Sequence, residues 1–208
     1  MGGRGSETTG NDRWRGARWV RHAMLAGAAL GGVLLAGTAS SAPAEPANRL
    51  DAFPVAGACA YSDTFGLAWS RNGRPSRHDG IDIMAPRGTR TVAALAGRVT
   101  KLYRSEAGGN VLVLTAANGT YLVYVHLDRY APGVTVGSRV AAGQLVAYVG
   151  QTGDAQKSGP HLHFEVHPGG GGAVDAYASL LAADGGRCQR APFGVRSASR
   201  VRLGTPRP

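Results

Sequence analysis

The stretch PHLHFEVH, residues 160–167, has polar side chains in a regular pattern that could bind a metal ion or take part in a reaction. Polar side chains occupy every second position, at His161, His163, Glu165 and His167. On a β-strand, alternate side chains share one face and lie about 6.6 Å apart, so His161 and His163 would point into one space. Such a pair could serve a metal site, although a strand that presents polar residues to water has the same pattern.

A second group of candidate ligands lies in RHDGIDI, where three residues separate His78 from Asp82. On a straight strand these two side chains would be about 13 Å apart, too far to share one ion. Gly80 lies between them and would let the backbone bend. The segment therefore fits a pair of ligands, although an exposed loop would explain the same residues.

A third candidate, His126, lies in YLVYVHLDRY, where it shares a predicted strand face with Tyr124 and the valines of the opposite face suit a core. Tyr124 either hydrogen-bonds near the site or packs as a strand aromatic. Four of the five histidines that follow residue 44 lie beside glycines or on predicted strands, together with one acid. This concentration predicts one site, formed by His78, Asp82, His126, His161 and His163.

Imidazole nitrogen and carboxylate oxygen are donors that suit zinc, and a catalytic zinc typically keeps three protein ligands and an open fourth position. Such a centre polarises a carbonyl and lowers the pKa of bound water to about 7, which provides a nucleophile at neutral pH. The sequence contains no H-E-x-x-H helix motif, so the common zincin arrangement is excluded.

The elements that position these residues are predicted to be short strands. The 208 residues include 32 glycines and 11 prolines but only 4 phenylalanines, which favours turns and strands over long helices. Asn118-Gly119, between two runs rich in valine and leucine, is a strong hairpin signal. We expect a mainly β fold with a single antiparallel sheet or sandwich domain.

Four segments are predicted along the chain. Residues 1–44 have a basic region, an apolar run and small residues before a cleavage site, as in a signal peptide. An uncleaved membrane anchor is the alternative, and either predicts a secreted or cell-envelope protein. Residues 45–56 are a linker, residues 57–181 form the domain, and residues 182–208 are a flexible basic tail.

Charge and cysteine content limit the partners. The net charge is +10, and residues 45–208 keep 18 basic and 11 acidic residues, or +7. This suits anionic surfaces, although solvated charge explains it equally well. Nucleic acid is not expected, because the basic residues lack interleaved aromatics on a reading surface. Cys59 and Cys188 are the only cysteines, and in an exported chain we expect them to form a disulfide.

Three motifs in order resemble one family. HDGID (residues 78–82), YVHL (124–127) and GPHLHFE (159–165), with GQLVAYVGQTG before the last, are similar to the lysostaphin-type, or LytM-like, zinc metallopeptidases of peptidoglycan. The resemblance runs from His78 to Pro168, somewhat under half of the chain. It implies an antiparallel β structure with zinc in a groove between loops.

The resemblance also implies a role for each site residue. One zinc ion per chain would be bound by His78, Asp82 and His163, whereas His126 and His161 would stand beside the metal and act on water and the developing oxyanion. Glu165 and His167 are expected to have supporting or surface roles.

The implied activity is that of a secreted zinc endopeptidase acting on peptidoglycan stem peptides or cross-bridges. The alternative is a wall-binding regulator of other wall hydrolases that does no catalysis itself. Peptidoglycan is the expected partner, and the basic tail could hold the protein on anionic wall polymers. We expect a monomer.

Overall fold

The structure is a computed structural model that describes residues 48–71 and 74–190, with side chains omitted at 69–71 and 74. The predicted signal peptide and the tail beyond residue 190 lie outside this part, so both stay predictions. None of the helices found in residues 48–71 and 74–190 has the length and the apolar character that a transmembrane span requires.

Short strands dominate the described part of the chain. The first seven are β1 (Val55–Ala56), β2 (Ala60–Tyr61), β3 (Ala68–Arg71), β4 (Arg74–Arg77), β5 (Ile81–Met84), β6 (Arg90–Val92) and β7 (Gly97–Ser105). The next seven are β8 (Gly109–Thr115), β9 (Tyr121–Leu127), β10 (Arg129–Tyr130), β11 (Arg139–Val140), β12 (Leu145–Tyr148), β13 (His161–His167) and β14 (Gln189–Arg190). The helical elements are α1 (Tyr177–Asp184) and two short 3₁₀ turns at Gly153–Lys157 and Pro168–Gly170.

The prediction of a mainly β fold is confirmed, but the prediction of a single sheet is wrong. An eight-stranded sheet has the order β11-β7-β8-β9-β13-β5-β2-β14, and a four-stranded sheet has the order β1-β6-β12-β10. A separate hairpin pairs β3 with β4. All pairings are antiparallel except that of β14 with β2. Several strands have only two residues, so the sequence periodicity could not assign them to sheets.

The alternation in PHLHFEVH places β13 as predicted. Leu162, Phe164 and Val166 are fully buried in the main core. The predicted hairpin at Asn118-Gly119 joins β8 to β9, and Gly119 has a φ of 80°, which glycine adopts without steric cost. These two strands and β13 form the middle of the larger sheet.

Both ends of the described chain contribute to the fold. Leu50 and Phe53, in the segment predicted as a linker, are buried in the main core. In the segment predicted as a tail, Cys188 forms a disulfide with Cys59, so the expected bridge is confirmed. Asp184 is fully buried and accepts a hydrogen bond from the backbone N–H of Cys188 at 2.9 Å. The folded part therefore extends beyond residues 57–181 in both directions.

Candidate metal centre

Two of the proposed ligands come from the segment that leaves β4 and enters β5. His78 Nε2 lies 3.1 Å from Asp82 Oδ1, so the chain bends between these residues. Thr64 holds both of them in place. Its carbonyl accepts a hydrogen bond from His78 Nδ1 at 2.8 Å, and its hydroxyl accepts one from the Asp82 backbone N–H at 3.1 Å.

Gly80 is required between these ligands because β13 approaches it closely. A Cβ at this position would lie 2.5 Å from the Phe164 carbonyl oxygen and 2.8 Å from His163 Nε2. The contact with a backbone carbonyl cannot be relieved by moving a side chain. Glycine therefore does more here than allow the bend expected from the sequence, because it also makes room for the strand that carries the third ligand.

His163 reaches the same point from β13. It pairs directly with Asp82 of β5 in the antiparallel register, so the two side chains share a face of the sheet. His163 Nδ1 lies 3.0 Å from Asp82 Oδ1 and 2.9 Å from His78 Nε2. One ligand atom from each of the three residues lies within 4.8 Å of the others. The structure thus brings the three proposed ligands together.

Hydrogen bonds on the outer sides of the His78 and His163 rings decide which of their nitrogens face the centre as acceptors. His78 Nδ1 donates to the Thr64 carbonyl, which has no proton to give. His163 Nε2 lies 2.9 Å from Glu165 Oε1 and donates to this carboxylate. In the neutral rings, two nitrogen lone pairs and one Asp82 oxygen then face one another. A donor set of this kind fits a zinc ion.

The protonation of the ligands follows from the same contacts. Burial alone would raise the pKa of Asp82, but the adjacent rings of His163 and His78 hold it well below its usual range. Burial would lower the pKa of His163, whereas its hydrogen bonds to Asp82 and Glu165 raise it to about 9. Metal binding at this centre is therefore expected to release a proton.

Glu165 and His167 extend the polar row of β13 away from the three ligands. Glu165 accepts hydrogen bonds from His163 Nε2 at 2.9 Å and from His167 Nε2 at 2.7 Å. The His167 ring stacks on Tyr121 with ring centroids 4.2 Å apart, and its Nδ1 lies 3.1 Å from the Gly171 carbonyl. Glu165 thus contacts the ring of a proposed ligand, and His167 contacts Glu165.

His126 reaches the centre through an irregular end of β9. The sequence predicted that Tyr124 and His126 share a face, and this is wrong, whereas Val123 and Val125 are buried as predicted. Tyr124 lies in the main core, while Val123 and Val125 line the groove that contains the centre. His126 has a φ of 62°, which is uncommon for a residue other than glycine. The register of β8 and β9 also shifts just after Asn110, and His126 lines the groove although alternation would place it in the core.

Tyr124 is a packed core residue. Its hydroxyl accepts a hydrogen bond from the Ala94 backbone N–H at 2.8 Å, and its ring packs edge-on against Phe164 with centroids 5.2 Å apart. Burial raises the pKa of this hydroxyl. Of the two roles left open by the sequence, the structure supports packing.

The two histidines proposed as catalytic lie side by side, with ring centroids 4.8 Å apart. His126 Nδ1 donates to the Thr152 carbonyl and His161 Nδ1 to the Gly159 carbonyl, both at 2.9 Å. The Nε2 atoms are therefore the free positions of both rings. His161 Nε2 lies 3.8 Å from Asp82 Oδ1, which places it beside the proposed ligands.

Burial is the main reason why the pKa of His126 falls to about 4, and the nearby His161 and His163 lower it further. His126 is therefore neutral at pH 7, and Nε2 is its proton acceptor. Asp154 Oδ1 lies 3.8 Å from the same Nε2.

Sequence reasoning assigned no role to Thr64, Thr152 or Asp154, which contact His78 or His126. Thr64 lies in CAYSDTFG, residues 59–66, which begins at one of the two cysteines, and Thr152 lies in the quoted stretch GQLVAYVGQTG. Their position in these stretches was the one available signal, because no periodicity relates them to the histidines.

A groove with a cavity volume of 1360 Å³ contains the centre. All five candidate residues line it, together with a floor of four valines, Val111, Val113, Val123 and Val125. The groove crosses the larger sheet from β5 to β7, so the centre lies towards one end. Its size suits an extended chain better than a small molecule.

The sheet order, the groove and the donor set define a class: mainly β proteins with a histidine and aspartate cluster that can hold a metal ion on one face of a sheet. Residues 76–176 match Peptidase family M23, and the chain belongs to this family. The resemblance to lysostaphin-type peptidases is thus confirmed.

Two solved structures and one curated relative illustrate the similarity. LytU is 40% identical with a TM-score of 0.50, covering 57% of this chain and 81% of that one. The catalytic domain of the antimicrobial peptidase lysostaphin from Staphylococcus simulans is 31% identical with a TM-score of 0.50, covering 57% and 89%. The peptidoglycan DD-endopeptidase ShyC of Vibrio cholerae is 38% identical over 93 residues, or 45% of this chain. The chain spans about a fifth of the length of the curated relatives that match in this way.

Proposed function

We propose that this chain is a zinc-dependent endopeptidase that hydrolyses peptide bonds in the stem peptides or cross-bridges of bacterial peptidoglycan. The observation that carries the proposal is the convergence of His78, Asp82 and His163 beside His126 and His161 in one groove. Membership of family M23 supports peptidase activity. The name of the Vibrio cholerae relative supports peptidoglycan as the substrate. The signal-like pattern of residues 1–44 supports action outside the cytoplasm.

His78, Asp82 and His163 would hold the zinc ion through the three atoms that face one another. When bound, zinc supplies a positive centre that polarises a carbonyl and lowers the pKa of water. Glu165 and Thr64 keep the two histidine rings oriented with their acceptor nitrogens towards this position.

His126 is the proposed proton acceptor. Because its Nδ1 proton is held by the Thr152 carbonyl, its neutral Nε2 can take a proton from the attacking water. A new C–O bond forms at the peptide carbonyl, the C–N bond breaks, and the proton passes to the leaving amine nitrogen. His161, beside it, would donate a hydrogen bond from a protonated Nε2 to the developing oxyanion.

Zinc content and hydrolysis of purified peptidoglycan test the proposal together. We expect about one zinc per chain and a release of new amino groups that a chelator abolishes. A chain that binds zinc and peptidoglycan but releases no amino groups would instead be a wall-binding regulator without catalysis.

Two variants separate ligands from catalytic groups. His163→Ala is expected to lose both zinc and activity. His126→Ala is expected to keep near-stoichiometric zinc and to lose hydrolysis by about 10²- to 10⁴-fold, the usual effect of a general base. Zinc loss in His126→Ala would show that the division between ligands and catalytic residues is wrong.

A further inference from the structure

Charge is distributed unevenly across the face of the larger sheet that forms the groove floor. Residues directly opposite each other on neighbouring strands share a face, so the register defines rows of side chains. One row runs from Glu165 on β13 through Val123 and Val113 to Lys101 on β7. The row starts beside the metal centre with a carboxylate, crosses an apolar floor and ends at an ammonium group.

A neighbouring row also ends at a basic residue on β7. It runs from His167 through Tyr121 and Thr115 to Arg98 on β7, and Arg98 pairs directly with Arg139 on β11. Among the described residues, three carboxylates line the groove. Asp82 lies on β5, Glu165 lies on β13, and Asp154 lies in the 3₁₀ turn that contacts β8 and β9. The end of this face on β7 and β11 is therefore basic.

The basic end lacks partners of opposite charge. Lys101, Arg98 and Arg139 are exposed, and none forms an ion pair within residues 48–71 and 74–190. Arg98 donates a hydrogen bond to the Gly137 carbonyl at 2.6 Å, which leaves its charge uncompensated. Two like charges directly opposite each other destabilise a strand pair, so a bound anion would relieve the repulsion between Arg98 and Arg139.

The distance between the metal centre and the basic end limits where the anionic group of a substrate can lie. Three strand intervals separate β13 from β7, which is about 14 Å at about 4.8 Å per interval. An extended peptide covers this distance in about four residues. The apolar floor between the two ends carries no charge, and Lys157, the other lysine that lines the groove, lies in the 3₁₀ turn that also carries Asp154.

We propose that Lys101, Arg98 and Arg139 bind a free carboxylate of the substrate about four residues from the bond that is cleaved. The inference rests on the proposed function and deepens it: the preferred substrate is an anionic stem peptide, because a bridge made only of glycine has no side-chain carboxylate. The three residues determine specificity and take no part in the chemical step.

The test uses two forms of one muropeptide dimer, with its carboxylates free or amidated. We expect the zinc-loaded protein to cleave the free form with the higher kcat/KM. Lys101→Gln, Arg98→Gln and Arg139→Gln are each expected to lower kcat/KM for the free form by about two- to fivefold, mainly through KM. The same variants should leave the amidated form unchanged. Arg90→Gln, on β6 of the other sheet, removes the same charge elsewhere and should change neither value.

Equal kcat/KM for the two forms would overturn the inference, as would variants that affect both forms alike. Loss of binding to an anionic wall polymer without loss of peptide discrimination would also overturn it. If neither form is cleaved, the proposed function fails, and the dissociation constants of the two forms still test this inference. The inference is supported if the free form binds more tightly and Lys101→Gln abolishes this difference. Equal binding of the two forms contradicts the inference.

Discussion

The orientation of each histidine ring decides which of its nitrogens is available to bind a metal ion or a proton. His78, His126 and His161 each donate Nδ1–H to a backbone carbonyl, whereas His163 donates Nε2–H to a carboxylate. His163 is therefore the one of these four that presents Nδ1 to the centre. A carboxylate partner also makes the ring more basic than a carbonyl does.

Glu165→Gln should weaken zinc binding without removing a ligand. Glu165 accepts from His163 through Oε1 and from His167 through Oε2, and the amide replaces one of these oxygens with an NH₂ donor, so one of the two hydrogen bonds is lost. We expect zinc affinity to fall by about 10- to 100-fold, measured by competition with a chromogenic chelator. Glu106→Gln makes the same charge change at an exposed position and should leave the affinity unchanged. Equal affinities of the two variants would show that Glu165 does not support the ligand.

At the scale of elements, hydrogen bonds from the turn after β12 hold the end of β9 in place. The Thr152 hydroxyl donates to the Leu127 carbonyl at 2.9 Å and accepts from the Asn110 backbone N–H at 3.0 Å. The carbonyl of the same residue holds His126. One residue thus closes the irregular pairing of β8 and β9 and orients the proposed base.

Thr152→Val keeps the shape of the side chain but removes both hydroxyl hydrogen bonds. Because a partly buried N–H and a carbonyl lose their partner, we expect the free energy of unfolding to fall by about 1–3 kcal/mol. Hydrolysis should fall with it, since the backbone carbonyl that holds His126 belongs to the same residue and is less firmly positioned without the two hydroxyl hydrogen bonds. Denaturant unfolding gives the first value and amino-group release the second. Thr135→Val, in an exposed turn, should change stability by less than about 0.5 kcal/mol, and a similar loss there would contradict this reading.

The same elements show what sequence patterns could predict. The alternation in PHLHFEVH predicted both faces of β13, because this strand is regular and one of its faces is buried. The same alternation rule failed at His126 on β9. The backbone there is held by Gly108 and Thr152, and Thr152 is 26 residues away in the sequence. The row that has Glu165 at one end and Lys101 at the other depends on the register of four strands. That register cannot be derived from a single sequence.

At the scale of the whole molecule, the disulfide joins segments 129 residues apart. The Cys59→Ser/Cys188→Ser variant should lose about 2–5 kcal/mol of unfolding free energy, since the crosslink restricts the unfolded chain. Zinc affinity of the folded variant should be unchanged, because neither cysteine belongs to the donor set. Denaturant unfolding of the variant and of the reduced native chain should agree. An unchanged unfolding midpoint in both would contradict the expectation.

The long separation between the proposed ligands has a consequence for the order of synthesis. His163 follows Asp82 by 81 residues, and β13 must pair with β5 before the three ligand atoms can meet. A nascent chain on the ribosome therefore carries HDGID without a complete donor set until the 81 further residues up to His163 have been added. Translation itself delays assembly of the centre, so a chain that has not reached residue 163 would lack the third proposed ligand.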